Sequence, residues 1–324
     1  MAATPADGRT LRIATRASEL ALWQAHHVAG LLRAAHPGLG VELVPLSTEG
    51  DRRTDVPLAE IGGKGVFATE VQAAVLDGRA DLAVHSAKDL PAATPDGLAI
   101  AAVPPRGDPR DALVGAALGD LGEGDVVATG SARRRVQLAA LVPGLGFADL
   151  RGNMATRLAR AEGFAAIVVA LVALERLGLG DRVADVLDPG AVVPQVGQGA
   201  LAVECRAAED GTLDLLAAIE DPASRRVVDC ERAFLAELGG DCSLPAGAHA
   251  TEQPDGSLRL DAVLAAAAPG SGPTAGPGAA PTATPGGGAP VPAPHRATAA
   301  GHDGRALGTL VARELRTRVE APGP

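Results

Sequence analysis

Of the 29 basic residues in this 324-residue chain only two are lysines, Lys64 in GGKG and Lys88 in HSAKDLP. Both stand among glycine or small polar residues near expected strand ends, where a compact cation can face a ligand. Lys88 adjoins Asp89, and the pair emerges from the C-terminal end of a strand that should run through the core, the place where open α/β sheets bind ligands. A carboxylate there can stabilise a developing cation or shuttle a proton, although an acid in a turn often only caps its own backbone. Arginine supplies the rest of the positive charge. Arg133, Arg134 and Arg135 are consecutive at an expected helix start, LRGNMATR adds Arg151 and Arg157, and Arg176 follows. A charge run is ordinarily a solvated face. Its repeated placement at strand-to-helix junctions instead suits bidentate clamping of several carboxylates, which implies a polyanionic small molecule. GGKG lacks the Gly-x-x-x-x-Gly-Lys-Ser/Thr spacing of a phosphate loop, so a nucleotide is not indicated.

The three cysteines separate by pattern. Cys205 in LAVEC shares the alternating face of Leu201 and Val203, and Cys230 lies on the apolar side of its helix, so both are expected as buried core thiols. Cys242, in LGGDCSLPAG, stands in a glycine-rich turn after a helix. No Cys-x-x-Cys or His spacing offers a metal site, so none is expected. His249, the nearest histidine in sequence, is weak support for a hydrolase, and Cys242 is left as nucleophile, attachment point or inert loop thiol.

The elements that must position these residues alternate. Leu11 to Thr15 reads as a strand, and Ser18 can cap a helix whose Leu20, Trp23, Val28, Leu31 and Leu32 recur at helical spacing. Val41 to Leu46 is the next strand, followed by a helix around Thr69 to Leu76 and strands at Asp81 to His85 and Leu98 to Val103. His85 alternates toward the core and is expected to be structural. After the turn-rich Pro104 to Asp111 the rhythm restarts, with strands at Asp125 to Thr129, Phe147 to Leu150 and Ala165 to Ala170 and helices at Ser131 to Leu141 and from Asn153. The pattern predicts two α/β lobes. IATRAS and VATGSARR each end a strand in Ala-Thr and open a helix with Ser near Arg, so Arg16 with Ser18, and Thr129 with Ser131, mark two helix N-termini suited to anions, facing a cleft. From about Asp221 a third unit begins. Pro269 to Ala300 is mainly Pro, Gly, Ala and Thr with Val291 as its only large aliphatic residue and Arg296 as its only charge, and is expected to be a disordered insertion. Arg305 to Val319 returns to helical spacing and should dock on the third unit.

Composition narrows the function classes. A net charge of -10 repels phosphate backbones, and four Phe, one Trp and no Tyr leave little to stack on bases, so no nucleic-acid partner is expected. The N-terminus lacks a secretory pattern, the longest apolar run, Phe164 to Leu174, is too short to span a bilayer, and the odd cysteine count fits a reducing compartment. The chain is therefore expected in the cytoplasm, away from membranes.

LRIATRASELALWQAH, TEGDRRTD, PLAEIGGKGVF, RADLAVHSAKDLP, DPRDAL, SARRRVQL, LRGNMATRL, VALERLGL, VGQGALAVECR and LGGDCSLPAG together resemble the hydroxymethylbilane synthase family, also called porphobilinogen deaminase, in order along nearly the whole chain. The resemblance implies two binding-protein-like α/β lobes and a smaller α+β C-terminal domain carrying a cysteine loop at 239–247. The domains implied are 1–104 with about 200–220, 105–199, and 221–324. It implies a transferase that adds four porphobilinogen molecules to a dipyrromethane cofactor held by Cys242 through a thioether, then releases the linear tetrapyrrole by hydrolysis. Asp89 and Lys88 take the catalytic positions. Asp89, Arg133, Arg134, Ser131, Thr129 and Lys64 are implied around the cofactor, and Arg16, Ser18, Arg151, Arg157, Arg176 and Gln198 around the substrate. A monomer without an obligatory protein partner is also implied. Glu60 departs from the family, standing where some relatives have a second lysine, and the insertion is expected to replace some of the third domain's sheet. The contrasting expectation is a two-lobed cytosolic binding protein for a carboxylated small molecule, which would need the arginines but no looped thiol.

Overall fold

The computed structural model describes residues 8–48, 68–240, 244–266 and 291–321. Lys64, Glu60, Cys242 and most of the Pro/Gly/Ala insertion lie outside the described residues.

Two five-stranded sheets and one three-stranded sheet organise the described residues. The first sheet has the order β2-β1-β3-β10-β4, from Thr10–Arg16 (β1), Gly40–Leu46 (β2), Leu82–Ser86 (β3), Leu98–Ala102 (β4) and Leu201–Arg206 (β10). β1 pairs in parallel with β2 and β3, whereas β10 is antiparallel to both β3 and β4. The second sheet repeats this plan as β7-β6-β8-β5-β9, from Asp111–Gly115 (β5), Val126–Ala128 (β6), Gly146–Ala148 (β7), Ala166–Ala170 (β8) and Asp185–Val186 (β9). Here β6 is parallel to β7 and β8, and β5 is antiparallel to β8 and β9. Each sheet thus receives its antiparallel strand from a segment crossing over from the other.

The two crossovers touch. The Gly107 N–H donates to the Gly199 carbonyl at 3.2 Å. Gly199 has φ +88°, and a Cβ there would lie 2.4 Å from the Gly107 carbonyl oxygen, so only glycine lets the backbones approach.

Helices cover the sheets where sequence period and caps agree. The helix Glu19–Ala35 (α1) is capped by Ser18, whose Oγ accepts from the Ala21 N–H at 3.4 Å, and it buries Ala25, Val28 and Leu32. Thr69–Leu76 (α2) follows in the same lobe. In the second lobe, Ala132–Leu141 (α3) is capped by Ser131 and Met154–Ala159 (α4) by Asn153, while Leu171–Arg176 (α5) runs directly on from β8. The apolar run Phe164 to Leu174 is therefore one buried strand and the start of a helix. No helix among the described residues is long and apolar enough to cross a membrane.

Asp210–Ala217 (α6) leads into Pro222–Glu237 (α7), whose N-cap is Asp221 with Pro222 in the first turn. The third sheet is β11-β12-β13, an antiparallel meander of Ala246–Glu252, Leu258–Leu264 and His295–Gly301, covered by α7 and by Gly304–Glu320 (α8). A Cβ at Gly308 would meet the Cys230 carbonyl oxygen at 2.3 Å, so this glycine sets how closely the two helices pack. β13 corrects the expectation that Pro269 to Ala300 is disordered throughout. Residues 295–300 are a strand because all of β13 pairs with β12, from Leu264↔His295 to Leu258↔Gly301, and this backbone ladder replaces the side-chain burial the segment lacks. Asp111 likewise opens β5 instead of closing a turn. Cys205 and Cys230 are fully buried as expected, and burial pushes their thiols up to about 11 and about 12.

Candidate active site

β3 ends at Ser86, and a short turn, Ala87–Asp89, carries Lys88 and Asp89 out of the sheet. β1 ends beside it at Arg16. Arg16, Ser18, Gln24, Ser86 and Asp89 line one small cleft. The Gln24 amide donates to Ser86 Oγ at 2.8 Å, which fixes that wall. Among the described residues no donor is hydrogen bonded to the Asp89 carboxylate, so its oxygens remain available to a ligand.

The second lobe supplies the facing cations. Burial, then repulsion from Arg134, Arg151 and Arg16, lowers the pKa of Arg157, with Asp89 opposing, so these residues act on one region of space. Arg157 Nε donates to the Gly152 carbonyl at 2.8 Å. Lys88 is held by Gln198 Oε1 at 3.1 Å. Burial lowers the lysine to about 8, with Asp89 and Asp111 opposing that shift and Arg134 and Arg157 adding to it. Thr129 is buried and its Oγ accepts the Ser131 N–H at 3.2 Å, while Ser131 Oγ caps α3 through the Arg134 N–H at 3.4 Å.

The sequence expects Arg133 and Arg134 to hold ligand carboxylates, and the structure gives them a carboxylate of the chain's own. Arg133 Nη2 donates to Asp111 Oδ2 and Arg134 Nη2 to Asp111 Oδ1, each at 2.7 Å, with Asp111 entirely buried. Burial would raise the Asp111 pKa, but the two guanidiniums outweigh it and hold the acid well below the carboxylate range. Arg133 also donates to the Val193 carbonyl and Arg134 to that of Val168. The Nε of each arginine is buried without a hydrogen-bond partner among the described residues.

Arg176 lies at the boundary between lobes. Its guanidinium carbon is 5.3 Å from the centroid of the Trp23 ring on α1, and Nη2 donates to the Gly199 carbonyl at 2.7 Å. Burial brings it down to about 10. His85 is buried and 3.1 Å from Glu204, and it also lines the Asp89 cleft. His249 lies on β11, lining a separate cavity with Arg106, Asp108 and Arg110.

The third unit is fixed against this site. Arg106 makes a two-pronged pair with the buried Glu231 of α7, at 2.7 and 3.1 Å, and Glu231 also accepts the Gly197 and Ala250 N–H groups. Arg232 donates to the carbonyls of Pro91 and Ala92, just past Asp89. At Gly240 a Cβ would lie 3.1 Å from Ala92 Cβ. Gly240, the last described residue before Cys242, thus packs closely on Ala92, three residues beyond Asp89.

Asp111, Gln24 and Glu231 were not singled out from the sequence. A signal existed for Asp111: it heads the otherwise apolar strand DALVG, and an acid leading such a strand asks for a buried cation.

The chain also matches known proteins in sequence. The family description "Porphobilinogen deaminase, dipyromethane cofactor binding domain" matches residues 11–214, and "Porphobilinogen deaminase, C-terminal domain" matches residues 226–268. A porphobilinogen deaminase of Syntrophotalea carbinolica is 48% identical over 74% of this chain and 78% of its own length. One from Roseiflexus castenholzii is 49% identical over 76% and 83%. Among solved structures, the BenM effector binding domain with its effector benzoate has a TM-score of 0.40 at 17% identity, covering 77% of this chain and 97% of that one. With most of its length matched at nearly one residue in two, the chain belongs to the porphobilinogen deaminase family.

Proposed function

We propose that the cleft at Asp89 is where porphobilinogen is deaminated and joined to a growing pyrrole chain, with Cys242 anchoring a dipyrromethane cofactor. The reading is carried by one observation: a carboxylate left open to ligand faces a buried excess of guanidinium and ammonium groups, contributed by both lobes. That donor set fits a dipyrrole bearing several carboxylates, since such a ligand offsets the mutual repulsion around Arg157. When bound, the cofactor supplies a nucleophilic pyrrole carbon as primer.

The residues then divide the work. Porphobilinogen loses ammonia to give a cationic azafulvene-like species, and the Asp89 carboxylate stabilises that charge and takes up the proton released as the new bond forms. Arg16 and Ser18 orient the incoming ring through its acid groups, with Gln24 and Ser86 as neutral neighbours. Lys88, Arg151 and Arg157 bind the acetates and propionates that accumulate with each addition. Thr129, Ser131 and Arg134 shape the cofactor side with Arg133, and Lys64 joins them from outside the described residues. Arg176 and Gln198 contribute at the lobe boundary, where they bear on the substrate by holding the lobes in register. Four additions and a hydrolysis release the linear tetrapyrrole.

We assign residues 1–104 with about 200–220 to the first domain, 105–199 to the second and 221–324 to the third. The assignment of β10 to the first sheet and β5 to the second supports this division. A monomeric cytoplasmic enzyme with no protein partner completes the proposal.

Intact-mass measurement tests it. Protein from cells making porphobilinogen should carry a dipyrrole increment that disappears in Cys242→Ser, whereas an unmodified wild-type chain would overturn the anchor. Asp89→Asn should keep the fold and lose nearly all turnover, and normal product formation would remove Asp89 from the chemistry.

A further inference from the structure

Gln198 sits where both lobes and both crossovers meet. Its amide nitrogen donates to the Pro109 carbonyl at 2.7 Å and to Asp111 Oδ1 at 2.8 Å. Both partners are acceptors, so the nitrogen of this amide is committed to them and the oxygen must point the other way. That oxygen receives Lys88 Nζ at 3.1 Å. The backbone around Gln198 is also fixed: its carbonyl accepts Arg106 Nε at 2.9 Å. A Cβ on Gly197 would lie 3.1 Å from the Lys88 backbone nitrogen, so the crossover is wrapped closely on the Lys88 turn.

We propose that Asp111 is a positioning residue for the reaction: by orienting Gln198 it holds the Lys88 ammonium beside Asp89 and locks it in register with the arginine pair of the second lobe. The inference rests on the function proposed above, through the role of Lys88. Asp111 makes no contact with the cleft itself and acts through other side chains. Among the described residues, the charged groups facing Lys88 are Asp89 on its own turn, Asp111 from β5, Arg134 from α3 and Arg157 from α4. Removing the Asp111 charge leaves Asp89 alone against two arginines. In Asp111→Asn the new amide must meet two guanidiniums and the Gln198 amide with one oxygen, and its NH2 group can turn Gln198 over, setting a donor against the lysine.

The test reads Lys88 directly. In Lys64→Arg holoenzyme Lys88 is the only lysine, and its 13Cε resonance titrates without reference to turnover. Its midpoint should fall by about one pH unit when Asp111→Asn is added, and the high-pH limb of kcat/KM should move the same way, a loss of about tenfold on that limb. Gln198→Met, which leaves the Asp111 and arginine pairs standing, should also lower the midpoint, and it decides the matter if Asp111→Asn does not fold. An unmoved Lys88 midpoint in a folded variant overturns the relay. A shifted midpoint alongside a wild-type chain that makes no tetrapyrrole would instead overturn the functional reading and leave the relay intact.

Discussion

The first and second sheets share a strand plan, β2-β1-β3-β10-β4 against β7-β6-β8-β5-β9, but they handle positive charge differently. At the strand-to-helix junction of the first lobe, Arg16 and Ser18 line the cleft. At the corresponding junction of the second, Arg133 and Arg134 turn inward and are 2% and 7% exposed. One register position accounts for the difference. Leu201 of β10 pairs with Ser86, the last residue of β3, and Asp111 of β5 pairs with Ala170, the last residue of β8. The crossover strand therefore brings an apolar side chain to the first lobe and a carboxylate to the same place in the second. A buried acid lets two guanidiniums enter a core that would otherwise exclude them. The repeat yields one junction that lines a cleft and one whose arginines are held by a buried carboxylate.

Erasing that difference should have the largest effect. Asp111→Leu makes the second lobe resemble the first and strands two buried cations, so urea denaturation should show a loss of about 3–5 kcal/mol or a failure to fold. Adding Arg133→Met and Arg134→Met should restore much of the stability without restoring turnover. Persistent instability of the triple variant would mean that packing, not charge, dominates the site.

The turns after β3 and β8 differ as well, since only the first lobe interposes Lys88 and Asp89 before the chain moves on. Lys88 titrates near 8 in the folded protein, below its ordinary 10.5. Between those values the unfolded chain holds a proton that the folded one has released, so folding stability measured against Lys88→Met should rise with pH across that window. Turnover should fall over the same range as the ammonium is lost. Parallel changes would contradict the need for a charged Lys88.

The caps provide a smaller contrast. Ser18→Ala and Ser131→Ala should each cost about 1 kcal/mol by chemical denaturation. Only Ser18→Ala should also raise KM beyond what its stability loss explains, because Ser18 alone of the two lines the cleft. The smallest expected change is at Trp23→Leu, where loss of the Arg176 contact should lower stability by about 0.5–1 kcal/mol beyond the loss of ring packing, as read from a double-mutant cycle with Arg176→Met.

Much of this was legible beforehand. The helical spacing behind Ser18, the strand before Lys88 and the buried faces of Cys205 and Cys230 were readable because one local pattern fixes each. The junctions bearing Arg16 and Ser131 were readable as a repeat. The binding of Arg133 and Arg134 to Asp111 was not, because their partner lies in another strand, behind a turn-rich segment that hides where the sheet begins. β13 was missed for a different reason. HRATAAG buries little beyond Ala297, and its place depends on pairing with β12, a non-local ladder without an apolar signature.

The stacking of Arg176 on Trp23 has an optical consequence. The chain has a single tryptophan, so all indole emission originates at the seam where α1 of one lobe meets α5 of the other. A nearby cation perturbs the excited indole, and any sliding of the seam changes that perturbation. The unlabelled protein therefore contains its own gauge of any change in the contact between the lobes.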